Sequence, residues 1–378
     1  MRFQVERDLL AEAVAWTARA LPARPALPVL AGMRLQAGTG GPGVLTLSSF
    51  DYDVSAQASL PVTVEEEGSV LVPGRLLTEI TKSLPPRQVE VRVDGARTIV
   101  TCGSAQFSLL MLPEEDYPAL PEMPPSIGTV ESDVFATAVA QVAAAAGRDD
   151  TLPALTGVRM EIEGDTLTLV ATDRYRLAVR ELRWKPAQPD LSAAVLVPGK
   201  ALSDTARALT SGAEVSIALA LPGGSGDGMI GFEGSGRRAT TRLLGGEFPR
   251  YQALLPEHAN ATAELPAGLL SESVRRVALV AERNTPVRLS FSIGQLLLEA
   301  GTGDEAQAAE TLEASYEGED IQIAFNPQYL LDGLTAMDSD TVRISFTAPA
   351  KPAVITGKPE ADQAPAYRYL LMPIRLSG

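Results

Sequence analysis

Few residues in this chain could carry covalent or metal chemistry. One histidine, His258, and one cysteine, Cys102, occur in 378 residues. A zinc site needs clustered His and Cys ligands, so no metal and no cofactor is expected. A Ser-His-Asp triad would have to use His258, which lies in the linker Leu255-Pro256-Glu257-His258-Ala259. No Gly-x-x-x-x-Gly-Lys phosphate loop occurs; the run Gly223-Gly224-Ser225-Gly226-Asp227-Gly228 lacks the lysine and reads as a hairpin loop. The acidic runs Glu65-Glu66-Glu67 and Glu114-Glu115-Asp116 read as solvated loops. No catalytic residue is assigned, and an enzyme is not expected. A hydrolase with a carboxylate pair stays open as a rival, as does a β-rich scaffold array.

The remaining chemistry is charge. Arg75 and Lys82 stand seven apart and share a helix face. The same spacing returns 125 residues later as Lys200 and Arg207. Further cations surround the other helices: Arg19 and Arg24, Arg148, and then Arg275, Arg276 and Arg283. Cations repeated on one helix face would meet phosphates without reading bases, in a salt-sensitive way. The alternative for each is an ordinary solvated helix face. The third occurrence breaks down, because Tyr329 and Ala336 occupy the corresponding positions at an offset of 129.

The elements that hold these cations repeat as well. Leu71-Val72-Pro73-Gly74 returns as Leu196-Val197-Pro198-Gly199, and Leu27-Pro28-Val29-Leu30 as Leu152-Pro153-Ala154-Leu155, both 125 residues on. Thr285-Pro286-Val287 and Phe325-Asn326-Pro327 mark a weaker third copy. The modules expected are 1–122, 123–256 and 257–378. Each opens with an amphipathic helix, at Asp8–Leu21, Ser132–Ala146 (Ser132 as N-cap) and Leu269–Val280. Each has a second helix after its proline motif, at Arg75–Leu84, Lys200–Leu209 and Gln328–Met337. Alternating strands fill the rest, about eight per module, with Gly164-Asp165 as one hairpin turn. The fold class is α+β: three repeated modules, each with two helices and antiparallel sheets. Open sheet edges at the ends of such a row would be paired by a second chain, head to tail, closing a ring.

Composition sets limits on this reading. Hydrophobic residues make up 45% of the chain, enough for ordinary cores, and the formal net charge is −15. That charge opposes nucleic acid on average, but binding depends on where the cations sit. A lone cysteine fits a reducing compartment. The start, MRFQVERDLL, is too charged for a signal peptide, and no apolar run reaches a membrane span. A cytoplasmic protein is expected.

Specific stretches also resemble a known family, the bacterial replicative sliding clamps (β subunits of DNA polymerase III). They are Arg24-Pro25-Ala26-Leu27-Pro28-Val29-Leu30, Phe50-Asp51-Tyr52-Asp53, Ala171-Thr172-Asp173-Arg174-Tyr175-Arg176-Leu177-Ala178-Val179 and Tyr369-Leu370-Leu371-Met372-Pro373-Ile374-Arg375-Leu376. The resemblance covers the whole chain. It implies a head-to-tail homodimer around duplex DNA, placed there by a clamp loader. It implies tethering of the polymerase α subunit, and binding of repair and other proteins, through short linear peptides. The peptide pocket it implies comprises Leu155, Thr172, Arg174, Tyr175, Arg176, Leu177, Pro249, Leu254, Leu370, Leu371, Met372, Pro373, Ile374 and Arg375. The dimer contact it implies sets Phe107 and Leu109 against Ala278 and Leu279. The chain departs from the family at Pro153 and Ala154, where aromatics are common, and at Ala253, where a basic residue is common.

Overall fold

The computed structural model describes residues 1–38, 41–210, 212–220, 228–256, 258–281, 285–301, 306–358 and 365–375. Arg283 and the glycine-rich run at 223–227 lie outside the described residues. Two compact units divide the chain: Met1–Ala136 with Trp184–Pro189 and Asp204–Leu243, and Thr137–Arg183 with Asp190–Ser203 and Leu244–Gly378.

The α-helices, in chain order, are α1 (Arg7–Thr17), α2 (Gly74–Ser83), α3 (Ser132–Ala143), α4 (Pro153–Thr156), α5 (Gly199–Ala208), α6 (Ala267–Val277) and α7 (Pro327–Thr335). Both α1 and α6 end in a 3-10 turn, at Ala18–Ala20 and Ala278–Val280, where a continuous helix was expected. The short helix α4 was not anticipated. Ser132 is the first residue of α3, not its cap, and its hydroxyl donates to the Gly212 carbonyl. In α2 the residues Leu77, Ile80 and Thr81 are buried while Arg75, Glu79 and Lys82 face solvent, so the cations lie opposite the apolar stripe. Asn326 caps α7, its side-chain oxygen accepting from the backbone N–H of Gln328 at 2.9 Å and Tyr329 at 3.2 Å. Pro327, whose missing N–H costs nothing there, takes the first turn.

The described strands form antiparallel sheets of two kinds. In the first unit a nine-stranded sheet runs Lys185–Pro186, Ser126–Glu131, Glu214–Leu219, Met229–Gly234, Arg237–Arg242, Val54–Pro61, Val44–Phe50, Gly32–Ala37, Gly68–Pro73. Five of these strands come from the middle of the chain and four from its first third. They meet at Arg237–Arg242 against Val54–Pro61, with Ala239 opposite Ala56. The same unit holds a five-stranded sheet, Thr63–Glu66, Arg2–Glu6, Gln88–Asp94, Arg97–Cys102, Ala105–Leu110, the last strand being an edge.

The second unit repeats the scheme. Its nine-stranded sheet runs Ser192–Pro198, Gly157–Glu163, Thr166–Thr172, Arg176–Arg183, Tyr367–Leu371, Ala353–Gly357, Thr341–Phe346, Ala261–Pro266, Ser315–Glu317. Here four strands from the middle of the chain join five from the last third, with Ala178 opposite Tyr369. A four-stranded sheet completes the unit: Ala308–Glu313, Gln295–Ala300, Val287–Ser292, Ile321–Phe325, with Ala308–Glu313 at an edge. Each third of the chain therefore supplies nine described strands, in a set of five and a set of four, where about eight were expected.

Candidate functional site

A cavity of about 570 Å³ opens in the second unit. One wall is the turn between the strands Thr166–Thr172 and Arg176–Arg183. Asp173 Oδ1 accepts from the backbone N–H of Tyr175 at 3.0 Å and Arg176 at 3.1 Å. Thr172 Oγ1 accepts from the Arg174 N–H at 3.1 Å and donates to the Arg176 carbonyl at 2.7 Å. These bonds hold Arg174 in the left-handed region, at φ +78°, which few non-glycine residues adopt. Asp51 builds the same turn earlier in the chain, with Tyr52 at φ +77°. The tight turn is thus an inherited part of the repeat.

Arg176 joins this turn to α7. Its side chain is 5% exposed and pairs with Asp173 at 3.0 Å and Asp332 at 2.5 Å. Its guanidinium lies 4.3 Å from the centroid of the Tyr329 ring, and Tyr329 stacks on Tyr175 with centroids 6.3 Å apart. Gln328 Nε2 donates to the other oxygen of Asp332 at 2.7 Å. A charge this buried is retained only when paired and hydrogen-bonded, and Arg176 is both. Its place makes it a positioning residue that fixes the cavity wall.

Leu155, Arg174, Tyr175 and Arg176 line the cavity, as do Arg148 and Leu152. The other residues of the expected pocket differ in access. Leu177 and Leu370, opposite each other in the sheet, form a buried cluster with Val170, Val179, Tyr251 and Val354, against which Phe248 and Leu255 pack. Leu371 and Thr172 are buried too. These four support the surface from beneath. Pro249 and Pro373 are half-buried, and Arg375 is exposed. Tyr175, Leu254, Met372 and Ile374 are large apolar groups left exposed, as is Leu152. Of these, Tyr175 and Leu152 line the cavity, and exposed apolar groups at a cavity are a usual mark of a binding surface. Met372 donates its N–H to the Tyr175 carbonyl at 2.9 Å, so the tail after Leu371 runs beside the turn.

Sequence reasoning missed Gln328, Tyr329 and Asp332. A signal existed: Tyr329 stands where Arg75 and Lys200 stand in the other copies, and the loss of the cation marks a helix with another task. Arg148, expected among the DNA contacts, is also one of the residues that line the cavity.

The other cations are distributed as follows. Arg24, Arg75, Lys82, Lys200 and Arg207 are exposed. Arg75 donates to the Pro22 carbonyl at 3.1 Å, near Arg24 in the chain, and Lys82 lies 3.5 Å from Glu79. In the first unit Arg207 comes close to Arg19 and Arg237. Burial pushes the Arg19 guanidinium below its usual range; Asp204 opposes this, while Arg207 and Arg237 add to it. Arg237 there is paired with Glu12 at 3.0 Å. Arg276 is engaged elsewhere, pairing with Glu310 at 2.6 Å and Glu272 at 3.7 Å. Hydrogen bonds from Arg276 and Ser273 hold the Glu310 carboxyl down to about 2.

On the edge strand Ala105–Leu110, Phe107 is half-buried and Leu109 is covered within its own chain, while in the 3-10 turn that ends α6 Leu279 is 83% exposed beside half-buried Ala278. Leu110, not Leu109, is the exposed leucine of its strand.

Among the described residues no group of three or more His, Cys, Asp or Glu side chains could hold a metal ion, and no helix is long and apolar enough to cross a membrane. Models of the N-terminal, central and C-terminal domains of the DNA polymerase III beta subunit match residues 1–121, 129–250 and 252–375. The beta sliding clamp of Streptomyces coelicolor is 60% identical over 380 residues, covering all of both chains. The Bacillus subtilis sliding clamp crystal structure aligns over all of both chains with a TM-score of 0.89 and 26% identity. A Pseudomonas aeruginosa clamp crystallised with griselimycin aligns equally fully, with a TM-score of 0.89 and 28% identity. With three matched domains in order and a full-length relative at this identity, the chain belongs to the DNA polymerase III beta subunit family, the bacterial sliding clamps.

Proposed function

We propose that two copies of this chain close head to tail into a ring around duplex DNA, and that the ring tethers the replicative polymerase and other partners through the cavity at Tyr175. It does no chemistry of its own and works in the cytoplasm, on the nucleoid. A clamp loader places it on DNA.

The observation that carries this reading is the strand arithmetic. Two sets of five strands have met a set of four, edge to edge, and in both seams an alanine of the four-strand set, Ala56 or Ala178, sits opposite Ala239 or Tyr369. One five and one four are left over, with edges at Ala105–Leu110 and Ala308–Glu313. The hairpins that precede these edges align Phe107 with Ala239 and Ala308 with Ala178. The missing seam then places Phe107 opposite Ala308 of a second copy, antiparallel, and the third alanine falls where the other two do. An exposed edge is a liability until it is paired in this manner. The cavity reading is supported by the exposed apolar Leu152 and Tyr175 that line it, and by a clamp of the same fold having been solved with griselimycin bound.

The test is a Phe107→Cys, Ala308→Cys double variant in a Cys102→Ala background, treated with a short bis-maleimide. Opposed side chains in such a seam have Cβ atoms about 5 Å apart. A covalent dimer from the double variant, with neither single variant linking, is the expected result. A protein that sediments as one chain at working concentration and does not link would refute the ring.

A further inference from the structure

We infer that the groove between α3 and α7 is a binding site for a small aliphatic diamine, whose ammonium stands in for the helix-end cation that α7 lacks.

Helices α2 and α5 each carry a cation in the last turn, Lys82 and Arg207, and α7 carries none. The C-terminal end of a helix is partially negative, and a cation beside it is stabilising. The end of α7 instead borders a cavity of about 540 Å³. Thr335, Ala336 and Met337 form one side of it, and Ala140, Gln141 and Ala144, from α3 and its continuation, form the other. No lysine or arginine is among the residues that line it.

The polar groups there are acceptors in want of a donor. Gln141 is only 4% exposed. Its Nε2 donates to the Ala336 carbonyl at 3.0 Å, which fixes the amide against the end of α7. Its Oε1 is buried with no hydrogen-bond partner, a state that costs stability until a donor arrives. Asp338 is exposed and makes no hydrogen bond or ion pair among the described residues; its charge acts on Arg180, which does not line the cavity. Asp332 also lines the cavity, but Arg176 and Gln328 already occupy its two oxygens. The free valence of the groove is therefore one amide oxygen, one carboxylate and a helix C-terminus.

An alkylammonium answers all three, since it brings one positive charge and three N–H donors. The methyl groups of Ala140, Ala144 and Ala336 and the Met337 side chain offer apolar surface for a short methylene chain. The cavity exceeds the needs of one ammonium, and a chain laid along it leaves its second ammonium toward the open side. In the ring proposed above, that charge would give α7 what α2 and α5 carry in their own sequence. Only this service to DNA depends on the ring; the site does not.

The experiment titrates the full-length protein, methyl-labelled at methionine and alanine, with diaminobutane and follows methyl NMR signals. The Met337 and Ala336 methyl groups should shift and saturate, while methionines remote from the groove stay in place. Gln141→Leu changes no charge, so diffuse attraction to an acidic chain is kept while the buried acceptor is lost. Binding should weaken about tenfold, as for a hydrogen bond to a charged group. Asp338→Asn should weaken it roughly two- to fivefold, as for an exposed pair. Ala336→Lys, which supplies an ammonium from the chain itself, should abolish it. Should Gln141→Leu fail to fold, the other two variants decide. A Met337 signal that never moves overturns the inference, and so does equal affinity in wild type and variants. If N-acetyl-lysine methylamide, with its single ammonium, binds as tightly as the diamine, the occupant is a protein lysine and the diamine assignment fails.

Discussion

Arg176 shows how much a single side chain can settle. Resemblance alone placed it among residues that touch a partner, but it is nearly buried and its charge is spent within the chain. Removing one partner of a buried ion pair strands the others, at a typical cost of about 3 kcal/mol. Asp332 is partly exposed, so Arg176→Gln should lose about 2 kcal/mol or somewhat more. Peptide binding at the cavity should fall at least tenfold, because Tyr329 and the turn at Asp173 lose their tie. Arg176→Lys should not restore either, since a point charge cannot serve two carboxylates and a ring face together. Thermal melting and peptide anisotropy on both variants check this. None of it was legible in the sequence: Asp332 lies 156 residues away, and no local pattern announces such a pairing. The turn stretches Phe50-Asp51-Tyr52-Asp53 and Thr172-Asp173-Arg174-Tyr175 stand out in the sequence through the family resemblance alone, and not as turns.

At the scale of elements, the second helices could be placed from sequence because proline motifs and apolar spacing are local signals. The 3-10 ends of α1 and α6 and the short α4 could not, since backbone geometry at a helix end depends on what packs against it. The division of each nine-strand set into five and four was invisible for the same reason: strand partners are chosen at long range. The edge strand Ala308–Glu313 carries an inward-facing carboxylate, Glu310, held by Arg276 and Ser273. An inward charge is one way to discourage wrong pairing at an edge. Because Glu310 titrates near 2, below its ordinary value of 4.5, its stabilising effect is full above that ordinary value and disappears as pH falls toward about 2. Glu310→Gln should therefore flatten stability against pH in the acid range and leave the slope near neutrality unchanged, as acid titrations of unfolding would show. The seam itself predicts that Ala308→Arg, which puts a long cation where the partner's Phe107 belongs, shifts the dimer to single chains. Sedimentation at micromolar concentration would read this, and a dimer of unchanged affinity would count against the register. The C-terminal tail also needs care at this scale. Deleting Leu371–Arg375 looks harmless to the fold from sequence, but Leu371 is fully buried and pairs with Arg176 and Ala353. Deleting from Met372 onward should abolish partner binding while leaving folding and dimerisation intact.

For the molecule as a whole, an acidic total and cationic helix faces are compatible because DNA meets only the surface it touches. Changing Lys82 and Arg207 together to Glu should weaken retention on DNA at low salt, with peptide binding unaffected. The central claim is topological: the protein holds DNA by enclosing it. The most direct measurement loads the protein with its clamp loader onto nicked circular DNA, then compares retention before and after the circle is cut once. The account predicts long residence on the circle and rapid loss from the linear form, with loss prevented when the Phe107→Cys, Ala308→Cys ring is cross-linked and the DNA ends are blocked. Equal residence on circular and linear DNA with free ends would contradict it.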